Sequence, residues 1–176
     1  KIFVLELIKK TNQKMNAVIA PYDGITTIES VVMMGNAYEG ITAQIEELDA
    51  DLIVMGTKGA TGLKELFVGS NTEKIVRNAH CPVLSIPGKC DIEDINNIVF
   101  ASELDGTNKK VIEEFKYFQD LFDAKLHLVW VETPNTAVND DLGLERLETL
   151  ARDHQLSNYK VHIAKAFKPE DGILAF

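Results

Sequence analysis

The chain has 176 residues, 45% of them hydrophobic and 26% charged, with a formal net charge of −9, a balance that excludes an intrinsically disordered polymer. Its 27 acidic residues outnumber 18 Lys and Arg, so it offers no footprint for nucleic acid, whose binding depends on neutralising phosphates. No apolar run approaches the roughly 18 residues that span a bilayer and no signal-peptide layout is visible, so a cytoplasmic protein without a membrane partner is expected.

"KIFVLELI" is apolar at nearly every position, as in a strand buried on both faces, although Ile2, Leu5 and Ile8 also keep helical spacing. "TNQKMNAVIAPY" has a helical pattern that stops near Pro21, Asp23 and Gly24. "TIESVVMMG" reads as a strand ending at Gly35, and 37–48 as a helix with Ile41, Ile45 and Leu48 on one face. "DLIVM" is a short buried strand. A glycine-bearing stretch follows it, and Ser70 and Glu73 then stand in the capping-box relation that opens a helix with Ile75, Val76 and Ala79 on its apolar side. "PVLSIP" is a strand bracketed by prolines, with Cys81 as a small apolar filler before it. Cys81 and Cys90 match no disulfide framework or zinc spacing.

"GKCDIEDIN" is a polar linker, after which the pattern restarts. "NIVFAS" is a strand, "NKKVIEEFKYFQDLF" a helix burying Val111, Phe115, Phe118 and Phe122, and "KLHLVWV" a strand. "LGLERLETLARDHQ" is a helix, "KVHIAKA" a strand, and "PEDGILAF" the start of a helix with Pro169 in its first turn. Strands alternating with helices point to βαβ units and an open parallel sheet flanked by helices, an α/β fold. "SVVMMGNAYEGITAQ" and "KVHIAKAFKPEDGILAF" form a weak repeat: a strand, a polar joint, then an acidic residue and Gly-Ile at a helix start. The abrupt ends, at Lys1 and within a young helix at Phe176, suggest a fragment. His80, His127, His154 and His162 share no metal-ligand spacing, and His127 and His162 read as structural residues within strands.

The stretch "MGTKGATGLKELFVGSNT" carries the chemistry. Glycines let the backbone approach a ligand, and a helix N-terminus adds unpaired N–H groups and the positive end of its dipole. Gly56 and Gly59 bend the chain after a strand, while Gly69 and Ser70 sit at the mouth of the next helix. The stretch is neither G-x-G-x-x-G nor a P-loop. It is Gly, two residues, Gly, nine residues, Gly, then Ser, filled by Gly56, Gly59, Gly69 and Ser70.

With "DLIVMGT" before it and "NAHCPVLSIP" after it, this pattern resembles the universal stress protein family. The linker and restarted pattern resemble its tandem, two-copy members, which implies the end of a first domain over 1–88, a linker over 89–96 and the beginning of a second domain over 97–176. The resemblance implies a Rossmann-like fold of the adenine nucleotide alpha hydrolase type. It also implies an ATP site, with Mg or Mn bridging the phosphates, and a regulatory role in stress response. By that carry-over Met55 touches the adenine or ribose region. Gly56, Gly59 and Ala60 pass beside the ribose and phosphates, and Gly69, Ser70, Asn71 and Thr72 hold the phosphates. In the second copy Glu103 occupies the adenine-contacting position where the family has Asp. Glu103 and Asp105 form a carboxylate pair, but Asp105-Gly106-Thr107 reads better as a helix entry than as acid/base machinery.

Two other functions compete with nucleotide binding. One is a ligand-free module that dimerises, between chains or between copies in one chain, through the strand at 82–86. The other is a slow ATPase, which ranks lower because no general base or water-positioning residue is evident beside the loop. An enzyme is the less favoured class.

Overall fold

The computed structural model describes residues 2–56, 69–86, 88, 92–102, 109–136 and 140–176. The chain divides into two compact units, Lys1–Gly88 and Lys89–Phe176.

In the first unit, helix α1 (Ile2–Ile19) passes into a short 3-10 turn at Ala20–Tyr22. The expected first strand is therefore part of a helix. Leu, Glu and Lys favour helix over strand, and Val4, Ile8, Thr11, Met15 and Ile19 make one half-buried stripe at helical spacing. The strand expected at the end of "TIESVVMMG" does not form either. Val31, Met33 and Met34 are exposed there, and among the described residues no neighbouring strand supplies a ladder for them. Helix α2 (Ala37–Leu48) starts at Asn36, whose Oδ1 accepts from the Tyr38 N–H at 2.9 Å.

Strands β1 (Ile53–Gly56) and β2 (Val83–Ile86) pair in parallel, with Ile53 opposite Val83 and Gly56 opposite Ile86. Helix α3 (Ser70–Asn78) joins α2 on one face of this ribbon, where Ile45, Ile53 and Ile75 form the core and Met55, Ala79 and Cys81 pack against it. Val76, expected on the apolar side, is exposed, because α3 turns Thr72 and Ile75 inward.

The first described element of the second unit is a 3-10 turn at Ile92–Asp94. Its elements are β3 (Asn97–Ala101), α4 (Lys109–Phe122), β4 (Lys125–Glu132), α5 (Asp140–Asp153), β5 (Tyr159–Lys165) and α6 (Pro169–Ala175). The strands form a parallel sheet in the order β3-β4-β5, with Phe100 opposite Leu128 and Leu128 opposite Val161. Alternation sends Phe100, Leu126, Leu128 and Trp130 to one face, where Ile112 of α4 and Leu147 and Ala151 of α5 bury them. Val131 points the other way, and there α6 crosses it: a Cβ on Gly172 would stand 2.4 Å from Val131 Cγ1. The stripe of α4 is rotated from the one expected. Ile112 and Gln119 are buried, Phe115, Phe118 and Phe122 half-buried, and Val111 lies outside.

Helices α2, α4 and α5 end alike. Asp49, Asp123 and Gln155 adopt positive φ of 47°, 49° and 53°. The next residue's N–H then reaches back to Ile45, Gln119 and Ala151 respectively, closing each helix with a Schellman-type bond. The two halves of the weak repeat share only their helical part. Gly40 and Gly172 both lie under an apolar neighbour: a Cβ on Gly40 would stand 3.4 Å from Met33 Sδ, and one on Gly172 would meet Val131.

Candidate functional site

Strand β1 carries Met55 and Gly56 toward its carboxyl end, and α3 opens with Gly69, Ser70, Asn71 and Thr72. Met55 is half-buried against the Ile45–Ile53–Ile75 core, and Gly56 is exposed. Gly59 and Ala60, and Glu103 of the second unit, lie outside the described residues.

The helix begins one residue earlier than the capping box required. Gly69 is the N-cap, and the Glu73 N–H donates to its carbonyl at 3.0 Å. Ser70 is thus the first helical residue and makes no cap. Glu73 turns away to accept from Arg77 Nε and Nη2 at 3.2 and 3.1 Å. The reason is the register of the first intrahelical bond: once the Gly69 carbonyl accepts it, a glycine without a side chain occupies the capping place.

The consequence is chemical. The amides of Ser70, Asn71 and Thr72 have no acceptor four residues earlier within the helix, and the cap contributes no side-chain oxygen to them. Ser70 and Asn71 are exposed beside these amides, whereas Thr72 is 3% exposed and belongs with Ile75 to the buried side. Among the described residues no side chain caps these N–H groups, and the turn also presents the positive end of the helix dipole and the Ser70 and Asn71 side chains. Such a donor set fits an anion, and it fits the phosphates of a nucleotide.

A second concavity has the opposite character. An open cavity of about 490 Å³ lies between α2, the 31–35 segment and β1. Val31, Met33, Met34 and Leu48 line it, and none of Met55, Gly56 or Ser70 does. Its lining is mainly apolar, with Asn36 and Gln44 as its polar side chains.

In the second unit, Lys165 at the carboxyl end of β5 donates to Asp140 Oδ1 at 2.8 Å, with Glu132 Oε2 3.4 Å away. The Lys165 hydrogen bond holds the Asp140 carboxyl below its usual range, and the same bond raises the lysine. Asp140 and Lys165 pair with each other, while the buried Glu132 Oε2 makes no hydrogen bond among the described residues. Sequence reasoning passed over a further grouping, His127, His162 and Asn97 on three adjacent strands. The parity of the strand positions was the only signal for it.

Among the described residues no three His, Cys, Asp or Glu side chains gather as a metal site, and no helix is long and apolar enough to cross a membrane.

The sequence profile of the universal stress protein family matches residues 4–87. The chain is similar to two universal stress proteins of Methanocaldococcus jannaschii. It is 44% identical to one over 34% of this chain and 35% of the relative, and 34% identical to the other over 35% and 38%. It is also 35% identical to a universal stress protein of Thermus aquaticus, over 42% of this chain and 54% of that one. Among solved structures it is similar to a universal stress protein from Archaeoglobus fulgidus, with a TM-score of 0.69 and 17% identity, over 98% of this chain and 64% of that one. That likeness shows the fold: α/β, with parallel strands and flanking helices. The chain spans less than two thirds of each of these relatives.

Proposed function

The chain belongs to the universal stress protein family through residues 4–87, and from that premise we propose that it binds ATP as a regulatory nucleotide-binding protein, gripping the phosphates at the first turn of α3. The observation that carries this reading is the glycine cap: Gly69 has no side chain to offer the Ser70, Asn71 and Thr72 amides in the first turn of a helix that follows a parallel strand. Gly69, Ser70 and Asn71 hold the phosphates, Thr72 contributes its amide, and Met55 and Gly56 border the ribose side. Gly59 and Ala60, which lie outside the described residues, belong to the expected site, and Mg or Mn would accompany the phosphates. A divalent ion supplies charge neutralisation among phosphate oxygens. This chain's own residues supply position.

Calorimetric titration of the protein with ATP and Mg²⁺ tests it. Saturable heat that competes with a fluorescent ATP analogue is expected. No heat and no competition at millimolar ligand would overturn it.

One observation favours a second reading, a module that dimerises through β2. The outer edge of β2 has no partner strand among the described residues, and Leu84 and Ser85 are exposed on it. An unpaired edge is a template for another strand. Sedimentation of the protein and of Leu84→Asp separates the two readings. A dimer lost on substitution, from protein that takes up no nucleotide, supports the module.

A further inference from the structure

On the α6 side of the second unit, two histidines on adjacent strands meet through their ring nitrogens. His127 Nδ1 lies 3.0 Å from His162 Nε2, and His127 Nε2 lies 2.9 Å from Asn97 Oδ1. The ring centres are 5.1 Å apart and the planes 23° apart. The centre separation exceeds the nitrogen gap by almost two ring radii, so the nitrogens must point at each other nearly head on. The contact is a hydrogen bond between almost coplanar rings rather than a stack. Nitrogens aimed at each other also do not converge on a common ion. Phe176, just past α6, closes over both rings edge-on, with centroids 6.1 Å from His127 and 4.8 Å from His162.

The proton positions follow from the partners. The Asn97 amide oxygen only accepts, so His127 carries its hydrogen on Nε2 and accepts at Nδ1. His162 must then donate from Nε2, which leaves its Nδ1 to take the first added proton with the chain of bonds intact. A second proton can enter only at His127 Nδ1, where it meets the His162 Nε2–H.

Among the described strand residues, none on this face carries a carboxylate. On β3 the same face carries Asn97, Val99 and Ala101, none of which titrates. By alternation β4 adds Lys125, and β5 adds Lys160, which sits opposite His127 in the ladder. The carboxylates of α6, Glu170 and Asp171, are in its first turn, at the far end from Phe176. Burial, then the charges of His127 and Lys160, hold His162 below the ordinary imidazole value of 6.5. A histidine lowered in the folded state contributes stability that is complete above its unfolded value of 6.5, and the contribution falls as pH drops from there through the folded value.

We propose that the His127–His162 pair is a proton-sensitive latch for α6 that acts through Phe176. Uncharged, the pair forms a closed hydrogen-bonded surface on which Phe176 rests; doubly charged, it drives the rings apart and frees Phe176.

Amide exchange of α6, corrected for intrinsic chemistry, tests the latch at about pH 7.5 and about pH 5 in the unsubstituted protein and in His162→Gln. Expected is exchange roughly tenfold faster in acid, the equivalent of one pKa unit, and no such acceleration in the variant. Equal protection at both pH values in the unsubstituted protein, or equal acceleration in the variant, overturns the proposal. Imidazole nitrogen spectra of the unsubstituted protein give an answer should the variant misfold. His127 should appear as the Nε2–H tautomer, with the His162 hydrogen on Nε2. A neutral pair with the hydrogen on His127 Nδ1 also overturns it.

Discussion

Gly143 of α5 lies directly on the indole of Trp130: a Cβ at that position would stand 2.4 Å from Cε3 and Cζ3, and 2.9 Å from Ile163 Cδ1. Replacing a mid-helix glycine by alanine ordinarily stabilises a helix by roughly 0.5–1 kcal/mol. Here the sign reverses, because the methyl needs the space of a packed ring. Gly143→Ala should destabilise the second unit by about 1–3 kcal/mol, the usual range for overpacking. Denaturant unfolding followed by Trp130 fluorescence measures it, since the chain has one tryptophan. An unchanged or higher midpoint would show that α5 can shift away from the sheet at no cost.

Gly69→Asp separates a phosphate cradle from a plain helix start. Asp is a good cap and places negative charge at the positive end of α3, so stability should rise by up to about 1 kcal/mol. The same carboxylate would occupy the amides and repel phosphate, so ATP affinity should fall at least about tenfold, or 1.4 kcal/mol. Thermal melting and calorimetry on one variant check both signs. Higher stability with undiminished affinity would remove this turn from the binding site.

Gln119 is 5% exposed and its Nε2 donates to the carbonyls of Ser157, Ala124 and Asn158 at 2.7, 3.2 and 3.2 Å. One amide thereby ties the end of α4 to the start of β4 and to the turn before β5. Gln119→Leu keeps the volume and takes the donor from the Ser157 carbonyl, while the Asn158 and Ala124 carbonyls still accept from Leu126 N–H and Asn158 Nδ2, at a cost of about 1–3 kcal/mol. Equilibrium unfolding of the variant against the parent measures it. A loss no larger than that of an exposed substitution would mean that water replaces the amide freely.

Lys165 governs the acid titration of Asp140. Its hydrogen bond holds the Asp140 carboxyl below 3.8, so the stabilisation is present above that value and is lost as pH falls through the lowered folded one. Lys165 itself is raised above 10.5, so its share persists below that pH and disappears as pH rises through the raised value. Lys165→Met should bring the Asp140 titration back up toward 3.8. Carboxyl-carbon NMR of Asp140 reads this directly, and an unmoved midpoint would contradict it.

The amino-acid sequence by itself determined the alternation of strands and helices from Ala37 onward, since apolar period and breaking residues are local properties. Ile53–Gly56, Val83–Ile86 and the three strands of the second unit form where the pattern places them. The handover from β1 to α3 was legible for the same reason, because glycine and a helix start are written in adjacent residues. Tertiary structure decided what depends on a neighbour. The apolar run at 31–34 lacks a ladder partner among the described residues and stays irregular, and the first apolar run joins a longer helix instead of a sheet. Gly69 rather than Ser70 caps α3 because the first intrahelical bond chose its own register. His127 and His162, 35 positions apart in sequence, became partners only when β4 and β5 aligned, because hydrogen bonding across a sheet is fixed by strand register and not by distance along the chain.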